Sequence, residues 1–142
     1  MRIALDPGIS TGYAARHDNG AWATATLSPG AATDLRDTLQ WLLLDRENVE
    51  EVVIETFASR GLISAYGIET IELIGAVRGI CSIRNIAVVR QTPTQRLMLE
   101  PTATELLRER RRTLGARYTN HEISALAHLL RREHTLSLIA AK

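Results

Sequence analysis

The stretch IALDPGISTGYA, residues 3–14, constrains this 142-residue chain more than any other. Ile3 and Leu5 alternate with smaller neighbours, as a strand requires. The run climbs to one acid, Asp6, and breaks at once into a Pro-Gly turn before resuming after Gly12. Such a turn ends the strand sharply and leaves the carboxylate at the sheet edge. YAARHD then reads as a second strand, and Asn19-Gly20 as a two-residue hairpin, because both positions tolerate positive φ. AWATATL returns as a third strand.

Downstream, Ser28-Pro29 opens an expected helix whose buried face carries Leu35, Leu39, Leu42 and Leu43. EVVIE, residues 51–55, is a short strand that again ends on an acid, Glu55, and a polar loop (TFASRG) follows. Ile68, Ile71, Ile74, Val77 and Ile80 mark a long amphipathic helix from 64 to about 83, and IAVV at 86–89 is a buried-type strand. Thr92-Pro93-Thr94-Gln95 is a capping box with proline at the first helical position. Thr102 and Glu105 form a second box, with Gly115 placed to stop that helix. Thr119 and Glu122 form a third, opening a helix expected to run to about Arg132. The order βββαβαβα predicts a mixed α/β sheet with flanking helices in one domain, 1–142.

Composition matters chiefly for what it excludes. Hydrophobic content of 45% and charged content of 23% suit a globular domain rather than a disordered one. No apolar run reaches the roughly 18 residues of a membrane span, and Asp6 comes too soon for a signal peptide. The lone cysteine, Cys81, excludes an internal disulfide and suits a reducing cytoplasm, the expected location. Charge is segregated. Residues 30–56 carry seven acids against two arginines, a balance of −5, and residues 90–117 seven arginines against three glutamates, a balance of +4. The clustering suits phosphate oxygens, which match the arginine fork.

Asp6 and Glu55 both end apolar strands. Were those strands neighbours, the two carboxylates would meet at one sheet edge, and a hard divalent cation such as Mg²⁺ would relieve their repulsion. The alternative is that Asp6 caps its own turn and Glu55 is merely solvated. In the last helix His121, Ser124 and His128 fall at i, i+3 and i+7 on one face. His121, in the first turn, either completes a cation site or is a surface histidine. Glu122 has a structural role in its capping box.

DPGISTGYA in the first hairpin, IETF at the end of the fourth strand and HEISALAH opening the last helix resemble, in that order, the RuvC-type Holliday-junction resolvases, a branch of the RNase H-like nucleases. The resemblance spans nearly the whole chain and suits a compact, phage-type member. It implies an RNase H-like mixed five-stranded sheet, a homodimer paired through the 64–83 helix, and Mg²⁺-dependent cutting of branched DNA. Two ions per site, Mn²⁺ being a possible substitute, would hydrolyse the phosphodiester in line and leave 5′-phosphate and 3′-hydroxyl ends. Family members carry acids where Asp6 and Glu55 stand, an acid or histidine at His121, and an acid at Ser124. Asp6 would bridge both ions, with Glu55 on one and His121 on the other. Ser124 departs from the pattern, because a neutral hydroxyl is a poor Mg²⁺ ligand, and Glu122 is the only nearby acid to move in. The departure leaves three readings open: a working nuclease with fewer acids, an engineered inactive variant, and a branched-DNA-binding protein that does not cut.

Phosphate-gripping candidates are Arg60, Arg90 and Arg96, and in RERRR Arg108, Arg111 and Arg112, weighed against an ordinary solvated helix face. Phe57, the only phenylalanine, sits in a polar loop where it could stack on an unpaired base or fill the core. A separate reading, a sugar-kinase-like phosphate loop in DPGISTG, needs two lobes, and 142 residues supply one.

Overall fold

In the computed structural model the described residues are 1–27, 48–56, 65–115 and 117–141. The helix expected from Ser28-Pro29, Phe57 and Arg60 lie outside them. Strands β1 (Arg2–Asp6), β2 (Thr11–Arg16), β3 (Trp22–Leu27), β4 (Glu51–Glu55) and β5 (Ala87–Gln91) form one sheet in the order β3-β2-β1-β4-β5. The first three run antiparallel, whereas β4 lies parallel to both β1 and β5. Helices α1 (Ala65–Ile83), α2 (Pro93–Arg96), α3 (Glu100–Leu114) and α4 (Asn120–Ala140) complete the described chain. The mixed five-stranded α/β architecture is the one expected.

The details correct three local readings. The hairpin is real, but Gly20 alone takes positive φ (82°), and the His17 amide donates to Ala21 O. The loop is therefore longer than a two-residue turn, which needs positive φ at both central positions. Helix α3 starts at Glu100 with Leu99 as its cap, so the Thr102–Glu105 box is not formed. Pro101 suits a first turn and sets the start one turn earlier. Helix α4 runs past Arg132 to Ala140, since no glycine or proline follows to stop it. Two capping boxes do form, at Thr92–Gln95 and Thr119–Glu122, and Gly115 closes α3 at φ 69°.

Strand alternation sends side chains to two cores. Ile3, Leu5, Val52 and Ile54 pack on the α1 side with Val77 and Cys81. Ala4, Ala14 and Val53 pack under Leu107 of α3 and Leu126 and Leu129 of α4. Asp6 and Glu55 share the parity of Ala4 and Val53, so both face α4. The small residues of that face let α4 come close. Cys81 is an inert core thiol, pushed by burial up to about 11.

At the opposite end of the sheet Glu51 is buried between two arginines. Arg2 Nε donates to Oε1 at 2.5 Å, and Arg132 Nη2 to Oε2 at 2.5 Å. Burial alone would raise the Glu51 carboxyl, but the hydrogen bonds from Arg132 and Arg2 outweigh it and hold the group below its ordinary 4.5. The native state thus binds this proton more weakly than the unfolded chain. The stabilisation is complete above pH 4.5 and drains away as pH falls through the lowered native value. Glu51→Gln should cost about 2 kcal/mol at pH 7, less than a fully buried pair because both arginines keep some solvent. Urea melts at pH 7 and pH 3 check it: the gap between wild type and variant should shrink at the lower pH.

Candidate active site

The site is assembled where three elements end. In register, Leu5 of β1 pairs with Ile54 of β4, so Asp6 and Glu55 follow side by side on neighbouring parallel strands. The Pro-Gly turn after Asp6 is held by Thr11, whose fully buried hydroxyl donates to Gly8 O at 3.1 Å. Across β1, Asp6 pairs with Gly12. A Cβ on Gly12 would collide with the backbone carbonyl of His121 and lie 3.1 Å from its Cα. Glycine is required there because the first turn of α4 lies directly on the strand.

That close approach delivers His121. Its Nδ1 lies 3.3 Å from Asp6 Oδ2, and its ring is 47% exposed while Asp6 is largely covered. The N-terminus of α4 is fixed by the Thr119–Glu122 box, with the Glu122 amide donating to Thr119 Oγ1 at 3.2 Å. Glu122 itself is turned toward β3. Thr24 Oγ1 donates to it at 2.7 Å, and Thr26 Oγ1 and the Thr119 amide each at 3.3 Å. It therefore does not stand in for the acid expected at Ser124. Ser124 is buried one turn after His121 on the inward stripe of α4.

Two residues that sequence reasoning left aside prove central. His128, completely buried, places Nε2 at 2.6 Å from Glu55 Oε2 and Nδ1 at 2.7 Å from Gln91 Oε1. Gln91 ends β5 opposite Glu55. Arg96, on α2, donates from Nε to the same Glu55 oxygen at 2.8 Å and pairs with Glu100 through Nη1. Gln91 shares the parity of Val89, which the structure packs on the α4 side, and so turns to the same face.

The remaining arginines divide. Arg90 has the opposite parity to Gln91. It lines a cleft of about 200 Å³ with Ile54, Thr56, Ile71, Ile74 and Arg78 on the α1 side, away from the Asp6 face. This candidate phosphate grip therefore faces away from the two acids. Arg108 and Arg112 form exposed pairs along α3 with Glu105 and Glu109, and Arg111 is exposed in the last turn. Such pairs contribute about 0–1 kcal/mol and yield readily to a phosphate. Arg110, which sequence reasoning missed, stacks over Trp22 at 5.1 Å from the ring centre.

Electrostatically the two acids differ. Burial, then the Glu55 charge, pushes the Asp6 carboxyl above its ordinary value, against the opposing pull of His121 and Arg96. Burial would also raise Glu55, but the hydrogen bonds and charges of His128 and Arg96 prevail and hold it down. The pair is thus a firmly ionised Glu55 beside an Asp6 that resists ionisation. Two hard carboxylates and an imidazole are donors that suit a divalent cation of the Mg²⁺ or Mn²⁺ kind. Among the described residues no three His, Cys, Asp or Glu side chains yet close around one point, because Glu55 leans on His128 and Arg96 and Asp6 on His121. The donor chemistry of the two carboxylates and the imidazole fits a divalent cation.

No family model matches the sequence, and no curated protein does. Solved structures do match. RuvC of T. thermophilus in complex with Holliday junction substrate superposes with a TM-score of 0.63 at 21% identity, over 96% of this chain and 94% of that one. A second structure of Thermus thermophilus RuvC gives 0.59 at 20% identity, over 96% and 95%. The fowlpox virus resolvase, in complex with Holliday junction DNA, gives 0.68 at 14% identity, over 95% and 99%. The chain shares the fold of these three structures, an RNase H-like mixed five-stranded sheet with flanking helices. Asp6, Glu55 and His121 stand at one edge of it, where strands β1 and β4 and the start of α4 meet.

Proposed function

We propose that the chain is a divalent-metal-dependent endonuclease acting on Holliday junctions or related branched DNA. One observation carries the reading. The Asp6 and Glu55 carboxylates end neighbouring parallel strands of a resolvase fold, and His121 is set against Asp6 by the close approach at Gly12. Asp6, Glu55 and His121 would hold the cation, with Ser124 the weakest member of the set. When bound, Mg²⁺ or Mn²⁺ ions would activate a water and steady the leaving 3′ oxygen, a pair of ions serving in-line displacement. The protein's own part is to orient the two carboxylates, to keep Glu55 ionised, and to grip phosphates through arginines such as Arg108, Arg111 and Arg112. Phe57 and Arg60, next to Glu55 in sequence, belong to the same proposed DNA-binding set. The apolar side chains Ile68, Ile71 and Ile83 exposed on α1 support pairing of two copies there. A single-chain mass in solution at micromolar concentration would remove that part.

The second reading, a branched-DNA-binding protein that does not cut, is favoured by Ser124 and by the ion pair that already neutralises Glu55. Incubation of a synthetic four-way junction with the protein and Mg²⁺ or Mn²⁺ separates the two. Nicking that disappears in Asp6→Asn supports the nuclease, and tight binding with no cleavage in either metal overturns it.

Ser124→Asp supplies the carboxylate that the resemblance leads one to expect. It should tighten Mn²⁺ binding roughly tenfold, the effect of about 1.4 kcal/mol of added charge interaction in a partly dry site. Calorimetric titration of the two proteins reads the change. Equal affinities would mean that position 124 does not face the metal.

A further inference from the structure

His128 is out of place by the ordinary rules of burial. It has no exposed surface and lies on the stripe of α4 that also carries Ala125, Leu126 and Leu129, where an apolar side chain would pack without dehydrating two ring nitrogens. Both nitrogens are engaged instead, and by side chains from two different strands: Nδ1 by Gln91 at the end of β5, Nε2 by Glu55 at the end of β4. Gln91 is itself buried, and its backbone carbonyl accepts from the Thr56 amide at 2.7 Å and from the Thr56 hydroxyl at 3.2 Å. The link from Gln91 through the ring to Glu55 is thus tied into the sheet on both sides. With the Gln91 amide nitrogen turned to Nδ1, the neutral ring keeps its proton on Nε2 and donates it to the Glu55 carboxylate.

Both described hydrogen bonds to Glu55, from His128 and from Arg96, end on Oε2. Among the described residues the carboxylate is clamped by one oxygen, and Oε1 accepts no hydrogen bond. The same helix that sets His121 against Asp6 two turns earlier therefore also sets the angle of Glu55.

We propose that His128 is the positioning residue of Glu55: by holding Oε2 it presents Oε1 to the divalent cation shared with Asp6. The inference rests on the nuclease reading of the site and names which buried residue makes a site with Ser124 in place of an acid workable. Partners that orient a metal-ligating side chain cost 10–100-fold in metal affinity or activity when removed, about as much as some ligands.

Two polar substitutions separate positioning from packing. In His128→Gln the amide reaches the place of Nε2 and can still donate to Glu55, whereas in His128→Asn it reaches only the place of Nδ1 and meets Gln91 alone. The experiment is Mn²⁺ titration of the full chain by calorimetry, with thermal melts in chelator and junction nicking at saturating Mn²⁺. Mn²⁺ affinity should fall roughly 10–100-fold in His128→Asn and stay within about threefold of wild type in His128→Gln. At saturating metal kcat should follow the same order, with KM for the junction unchanged. Equal Mn²⁺ affinity in the two folded variants, whether both near wild type or both weak, would overturn the proposal. Asp6→Asn tests the reading beneath it. If wild type and Asp6→Asn bind Mn²⁺ alike, the metal site itself is wrong and His128 has no such role. If only Asp6→Asn loses binding while His128→Asn does not, the site stands and the positioning role falls.

Discussion

Gly12→Ala is expected to lower Tm by roughly 10 °C and to remove nicking together with Asp6-dependent metal binding. The added Cβ has nowhere to go. It would meet the carbonyl carbon and oxygen of His121 well inside the 3.0 Å that real Cβ atoms respect, and both are backbone atoms that no rotamer change can clear. Either β2 or the first turn of α4 must shift, with the buried contacts of Leu126 and Leu129 behind it. Overpacking of this kind costs typically 1–3 kcal/mol, and against rigid backbone the upper figure applies. For a chain of this length each kcal/mol moves Tm by about 3–4 °C. The displacement also carries His121 away from Asp6, so function falls further than stability does. Gly8→Ala is the control: its Cβ would approach only Ser10 O, at 3.3 Å, and a change of under about 1 kcal/mol is expected. Calorimetric melts of the three proteins decide it, and a Gly12→Ala protein that melts like wild type would show that α4 does not sit on β2 this closely.

How much of this could be read in advance depended on the range of the interaction. The starts of α2 and α4 were legible because a capping box joins residues three apart, and Thr92–Gln95 and Thr119–Glu122 both form. Since His121 lies in the first turn of α4, its helical position was legible too. Thr102–Glu105 was a false signal of the same kind, overridden by Pro101, whose fixed φ favours an earlier start. The edge position of Asp6 and Glu55 could be stated only conditionally, for nothing in IALD or EVVIE says that β1 and β4 are neighbours. The Gln91–His128–Glu55 link was out of reach, because it needs the β4–β5 register and the placement of α4 across both strands. Arg90 shows the same limit at shorter range. Val88 and Val89 are both apolar, so the run carries no phase to tell which face the next residue takes. The structure sends Gln91 to the two acids and Arg90 to the other side.

Asp6→Asn should remove metal-dependent nicking and, in chelator, make the protein more stable. The two effects have one cause. Burial, and after it the charge of Glu55, raises the Asp6 carboxyl above its ordinary 3.8, more than His121 and Arg96 lower it. A raised acid holds its proton more tightly in the native state than in the unfolded chain. Ionised Asp6 therefore weighs against the fold: the favourable contribution is present below pH 3.8 and is lost as pH rises through the raised native value. At pH 7 without metal the carboxylate is an unrelieved cost, and the neutral, isosteric asparagine should raise Tm. Function requires the charge that the variant lacks. If the proposed cation supplies several kcal/mol of transition-state stabilisation, removing Asp6 from its ligands should lower nicking by roughly 10³-fold, about 4 kcal/mol. Junction binding should persist, since the proposed phosphate grips are arginines and not Asp6. Mg²⁺ should raise the Tm of wild type and leave that of Asp6→Asn unmoved, because an ion bound only by the native state stabilises by mass action. Melts of both proteins in chelator and in Mg²⁺ give the crossed pattern: the variant the more stable without metal, wild type gaining with it. Wild type that is unmoved by metal and no less stable than Asp6→Asn in chelator would show that this carboxylate is neither strained nor a ligand.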